Sequence, residues 1–224
     1  MKKNNLLIVS IALILGACTN NNTYTTPETE MEKVSYSLGV NVATGVKAQG
    51  LDTIDANAVA KAFKDVFEGN DLDISEEESM KVLQDYFSKI QANKSAKANE
   101  EGAAYLAENG AKEGVITTES GLQYEILSSG DGKKPTTDDQ VTVHYHGTLT
   151  DGTVFDSSVD RGQPASFGVT QVIKGWTEAL QLMSEGDKWK LTIPANLAYG
   201  DQGAGGMIGP GATLIFEVEL LSIN

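Results

Sequence analysis

One cysteine and two histidines in 224 residues leave no intramolecular disulfide and no cysteine- or histidine-rich metal centre. Positive charge is also scarce: 17 Lys+Arg stand against 31 Asp+Glu, for a formal charge of -14. A nucleic-acid partner or an anionic membrane surface would require a basic face, so the acidic balance argues against both as direct partners. No apolar run reaches the ~20 residues that a transmembrane helix needs. A hydrophobic content of 40% is nevertheless too high for a disordered chain. There is no G-x-S-x-G nucleophile motif, and the six glycines between Gly200 and Gly211 lack the G-K-[ST] of a phosphate-binding loop. That run reads as a tightly turned surface loop.

What is present begins with an address. Lys2 and Lys3 precede an apolar stretch from Leu6 to Leu15 broken only by Ser10, the pattern of an export signal. Leu15-Gly16-Ala17-Cys18 is similar to a bacterial lipobox, which predicts cleavage before Cys18 and lipid on its sulfur. An ordinary signal peptide with an incidental Cys18 is the alternative. Residues 1–17 are thus expected to be a lipoprotein signal peptide, and the Asn/Thr-rich residues 18–30 a flexible tether. The protein is expected in the bacterial cell envelope, held by lipid, with the periplasmic side of the outer membrane as the expected site.

A helical segment over residues 31–115 follows. Val34, Leu38, Val42 and Val46 recur every four residues, one stripe of an amphipathic helix. Val59, Phe63, Val66 and Phe67 mark a second helix over Ala56–Glu68, with Asp55 as N-cap and Gly69 at its end. Ser75 and Glu78 have capping-box spacing and open a third helix, whose seam is Met80, Leu83, Phe87 and Ile90. Beyond Ile90 the seam disappears into Ala, Lys, Glu, Asn and Gln, yet helix propensity persists to about Ala111. A helix polar all round reads as a bridge between domains. Two copies of three short stripes would bury far more than one, so a homodimer through residues 31–90 is expected. A monomeric three-helix cap is the alternative.

From Gly121 the hydrophobic period becomes two. Leu122, Tyr124 and Ile126; Val141, Val143 and Tyr145; Trp189, Leu191 and Ile193; and Leu214, Phe216, Val218 and Leu220 each alternate with polar residues. Trp176, Ala179, Leu180 and Met183 fit one short helix between these strands. The pattern predicts an α+β domain, an antiparallel sheet wrapped around one helix, over residues 116–224. His144 and His146 share a strand face but lack supporting ligands, and solvent-facing imidazoles are the expected reading. Tyr145, Phe155, Phe167, Val172, Ile173, Trp176, Tyr199 and Phe216 concentrate near turns, for which core packing is the simplest account.

Five motifs turn this aromatic concentration into a function. Val143-His144-Tyr145, Gly152 to Ser158, Val172 to Trp176, Ala198-Tyr199-Gly200 and Ala212 to Phe216 match the FKBP-type peptidyl-prolyl cis-trans isomerases in order and spacing. The resemblance covers Thr118 to Asn224, and the preceding helices resemble the exported, dimeric Mip/FkpA-like bacterial members. It implies an indole floor at Trp176 under the proline ring, with Tyr145, Phe155, Phe167, Val172, Ile173 and Phe216 as apolar walls. The N–H of Ile173 and the hydroxyl of Tyr199 would contact substrate carbonyls. Asp156 would sit at the rim near Arg161, and Ile208 on a loop over the pocket. The resemblance implies neither cofactor nor metal; substrates would be proline-containing, partly folded exported proteins. Ala165, Gln171 and Ala204 depart from the common family pattern. A tethered chaperone or binding module with little turnover is the other functional reading.

Overall fold

A computed structural model describes residues 26–224; the expected export signal and Cys18 lie outside the described residues. The chain forms two compact units, one ending at Gln49 and the other running from Gly50 to Asn224. In the first, α1 spans Glu30–Ala48. Its start is fixed by a capping box in which the Thr29 side chain accepts from the Glu32 N–H and the Glu32 carboxylate accepts from the Thr29 N–H. None of its residues is buried: of the expected stripe, Val34, Leu38 and Val42 face solvent and Val46 is half-buried.

The second unit begins with α2 (Ala56–Glu68) and α3 (Glu76–Gly110). Asp55 Oδ1 accepts from the N–H groups of Asn57 and Ala58, and Gly69 ends α2 at φ 71°, a left-handed conformation that favours glycine. Ser75 caps α3 by accepting from Glu78 N–H. Over its 35 residues α3 rises roughly 53 Å. No described helix is long and apolar enough to cross a membrane.

Seven described strands form one antiparallel sheet. They are β1 (Val115–Thr117), β2 (Gln123–Ser128), β3 (Gln140–Leu149), β4 (Val154–Ser157), β5 (Ala165–Gly168), β6 (Lys188–Ile193) and β7 (Leu214–Ile223). Their order is β1-β2-β6-β7-β3-β4, with β5 also paired to β3. The sheet packs on α4 (Lys174–Leu182), which contributes Trp176, Ala179 and Leu180 to a core shared with Val141, Val143, Leu191, Ile193, Leu214 and Val218. The predicted α+β architecture is therefore present, with the inward stripes and α4 sharing one core. One residue departs from its predicted stripe: Ile126 is exposed, because a register shift between Ile126 and Ser128 disrupts β2 where it leaves β6.

The polar half of α3 also differs from a helix solvated on all sides. Ser95, Gly102 and Asn109 are buried, and their spacing of seven places them on one face. A Cβ on Gly102 would come within 2.3 Å of Thr213 Oγ1, and Asn109 Nδ2 donates to Gln123 Oε1 at 2.9 Å. That face lies directly on the sheet domain. Hydropathy missed it because the contact is made by small and polar groups.

Candidate active site

The sheet opens onto a cavity of about 620 Å³ above the N-terminal end of α4. Its floor is Trp176, in the first turn of that helix and 4% exposed. Three other rings meet the indole, and a fourth packs on one of them. Tyr145 meets it at 5.4 Å between centroids and an interplanar angle of 83°, Phe167 at 6.0 Å and 89°, and Phe216 at 5.2 Å and 78°. Phe155 packs edge-on against Phe216 at 5.3 Å. Edge-to-face pairs of this kind hold rings in fixed orientation beyond what area burial alone supplies.

Local backbone geometry sets these rings. Tyr145 projects from the inward face of β3 along with Val141 and Val143. Phe155 stands where the β3–β4 register shifts, since Gly147 pairs with Asp156 but Thr148 pairs with Val154. Such a bulge re-aims a side chain. Gly147 is required beneath it: an added Cβ would fall 2.7 Å from the Phe155 ring and 2.8 Å from Phe216. This glycine is a site residue that the sequence reading did not single out. Its only signal was a glycine inside a strand pattern.

Of the eleven predicted pocket residues, ten line the cavity: Tyr145, Phe155, Asp156, Phe167, Val172, Ile173, Trp176, Tyr199, Ile208 and Phe216. Arg161, the chain's single arginine, stands outside the lining. Its Nη2 donates to the Tyr145 hydroxyl at 2.8 Å, and its Nη1 pairs with Asp156 Oδ1. The same hydroxyl donates to Asp156 Oδ2 at 2.6 Å, closing a triangle. Both carboxylate oxygens of Asp156 are thus engaged from within the protein. Gln171, Ala204, Gly205 and Met207 also face the cavity. Met207 had no distinguishing signal in a glycine-rich run.

The triangle fixes the charge states. Partial burial works against the Asp156 carboxylate, yet bonds from Tyr145 and Arg161 outweigh it and hold its pKa below the ordinary value. Burial, followed by the bond to Asp156, pushes the Tyr145 phenol up, so it stays a neutral donor. Among the described residues no backbone carbonyl accepts from Ile173 N–H, which leaves that donor available at the cavity wall. His144 and His146 sit half-buried on the opposite face of β3, their Nδ1 atoms 3.1 Å and 3.0 Å from Ser158 Oγ and Ser157 Oγ.

An aromatic cavity on a sheet wrapped around one helix has clear counterparts among known proteins. A family model described as FKBP-type peptidyl-prolyl cis-trans isomerase matches residues 131–221, and one for the domain amino-terminal to it matches residues 31–126. Outer membrane protein MIP of Legionella longbeachae is 42% identical over 231 residues, spanning 100% of this chain and 98% of that protein. The chain belongs to the FKBP-type peptidyl-prolyl cis-trans isomerases. The FKBP-type 22 kDa isomerase of Escherichia coli strain K12 is 45% identical over 89% of this chain and 99% of its own. The crystal structure of FkpA from Escherichia coli superposes with a TM-score of 0.66 at 32% identity, covering 89% of this chain and 99% of that one. The enzyme is therefore an isomerase in which a helical region precedes the FKBP-type domain.

Proposed function

We propose that the cavity over Trp176 is where this isomerase turns X–Pro bonds, by solvating a twisted amide rather than by acid–base or covalent chemistry. The observation that carries this reading is the set of interlocked rings around the indole. An X–Pro amide resists rotation by ~18–20 kcal/mol because of its partial double-bond character. Twisting it uncouples the nitrogen lone pair and makes the group less dipolar, so a dry aromatic cavity favours the twisted form over the planar one. Each ~1.36 kcal/mol so removed gives a tenfold rate. Ile173 N–H and the Tyr199 hydroxyl hold substrate carbonyls on either side of the bond. Asp156 acts by holding Tyr145 and Arg161, to each of which one of its oxygens is bonded. Isomerisation of a short X–Pro peptide by the chain starting at Thr19 tests the reading. Rate acceleration that Trp176→Ala abolishes supports it, and peptide binding without acceleration would favour the binding-module alternative.

Assembly and location form the second part of the proposal. The stripes of α1 (Val34, Leu38, Val42) and of the first half of α3 (Met80, Leu83) are exposed in the single chain, as are Val59, Phe63, Val66 and Phe67 of α2. Exposed apolar stripes of this extent mark an interaction surface, and a second copy through residues 31–90 supplies matching ones. Lipid on Cys18 would hold the dimer in the cell envelope, the location suggested by a relative named outer membrane protein. Its clients would then be exported proteins with unfinished proline isomers. Cys18→Ser should release the protein from the membrane fraction, and an unchanged fraction would remove lipid from the account.

A further inference from the structure

The polar half of α3 touches the sheet domain at a place with direct access to the active site. Ser95 Oγ donates to Asp201 Oδ1 at 2.5 Å and accepts from Asn99 Nδ2 at 3.1 Å. One turn earlier, Gln91 Nε2 donates to the backbone carbonyl of Asp201 at 2.9 Å. The backbone of Gly211 lies against the same serine: an added Cβ there would be 2.6 Å from Ser95 O.

Asp201 and Gly211 are the two sides of one neck. Gly211 N–H donates to Gly200 O at 2.9 Å, closing a loop whose head is a second small ladder between Ala204 and Ile208. The head carries Ala204, Gly205, Met207 and Ile208, and Tyr199 enters the neck; all five line the cavity. These five are more than a third of its fourteen lining residues. The roof of the site thus comes from a glycine-rich segment with little core of its own, and α3 grips it where it leaves the sheet.

We infer that Gln91 and Ser95 are positioning residues for the isomerase reaction, holding the Tyr199–Gly211 loop in its substrate-binding arrangement through Asp201. They touch no substrate; they act through the loop. An ungripped loop samples more arrangements, and the binding-competent fraction sets the apparent affinity. The inference rests on the cavity being the isomerase site. Loss of the grip should therefore raise KM while leaving kcat nearly intact, because the Trp176 floor and the ring set are untouched.

The test uses the full chain with Gln91→Ala, Ser95→Ala, Asp201→Ala and Asp201→Asn, assayed on a short X–Pro peptide. Ser95→Ala and Asp201→Ala should each raise KM about three- to tenfold, the range one lost hydrogen bond produces, with kcat within about twofold. Their double variant should be no worse than the worse single, since they share one bond. Asp201→Asn should stay near the parent, because an amide oxygen still accepts from Ser95. Amide exchange supplies a readout independent of catalysis: the Ala204 and Ile208 N–H groups should exchange at least about threefold faster in Ser95→Ala. Unchanged KM overturns the inference, as does unchanged exchange. It is also overturned if Asp201→Asn is as impaired as Asp201→Ala, or if kcat and Tm fall together. A cavity that proves not to be the isomerase site would show itself separately, by an active Trp176→Ala variant.

Discussion

The sheet domain and the three N-terminal helices use apolar residues in opposite ways. In the sheet domain each inward stripe finds a partner within the same chain, and Val141, Val143, Leu214 and Leu220 are fully enclosed. In α1, α2 and the first half of α3 the stripes are equally regular but lie mostly open to solvent, with Phe67 80% accessible and Val46, Phe87 and Ile90 half-buried. Periodicity reports that a face will be covered; it does not report by what. One region encloses its stripes within a single chain, and the other leaves them open, which is why a second copy is proposed to cover them.

The largest expected effect separates the two regions by stability. Trp176→Ala removes a ring packed against three others and should cost ~3–5 kcal/mol. Phe67→Ala removes a ring of comparable size from an exposed stripe and should change monomer stability by no more than ~0.5 kcal/mol. Denaturant unfolding followed at concentrations where the chain is monomeric checks both. Equal losses would mean that the helices are as self-contained as the sheet.

Next in size is the effect on assembly. Leu38→Glu together with Leu83→Glu places charge on the exposed stripes of α1 and α3, and should weaken a dimer at least ~100-fold, or ~2.8 kcal/mol. Peptide kcat/KM should be unchanged, because neither residue is among those that line the cavity. Analytical ultracentrifugation over a concentration series measures the first, and the peptide assay the second. A variant that remains a dimer would move the interface away from these stripes.

How much of this was legible depended on which property carried the contact. Asp55, Gly69 and Ser75 could be placed as helix boundaries because capping is local chemistry read from residue type and spacing. Tyr145, Phe155, Trp176 and Phe216 could be placed in one pocket through family motifs; alternation alone left them as core. Gln171, Gly205 and Met207 reach the cavity only through the path of a loop, which has no periodic signal. The docking face of Ser95, Gly102 and Asn109 escaped for a related reason. On a hydropathy scale these residues look like solvent-facing helix, and their burial follows from backbone approach and from hydrogen bonds to residues about a hundred positions away. Arg161, expected beside Asp156 at the rim, pairs with it and also donates to Tyr145, and it does not line the cavity.

A smaller effect concerns how Asp156 contributes. If it acts by holding Tyr145, Tyr145→Phe and Asp156→Ala should each lower kcat/KM about three- to tenfold, with unfolding free energy reduced by less than ~1.5 kcal/mol. The double variant should then match the worse single, as expected for groups sharing one bond. Full additivity would show that Asp156 acts on the substrate separately from Tyr145.

The smallest effect expected is in the pH profile, and its sign follows from the same triangle. The Asp156 pKa is depressed in the folded protein, so its contribution is complete above the unfolded carboxylate value of about 3.9 and is lost as pH falls through the lower folded value. The Tyr145 pKa is raised, so its contribution is complete below about 10 and is lost as pH rises through the higher folded value. Between roughly pH 5 and 9 neither group changes charge, and peptide kcat/KM should be flat. Asp156→Asn removes the acid-side titration, while Tyr145→Phe removes the alkaline one. A step near neutral pH in the parent enzyme would instead show that the Asp156–Tyr145–Arg161 triangle does not set the pH dependence of turnover.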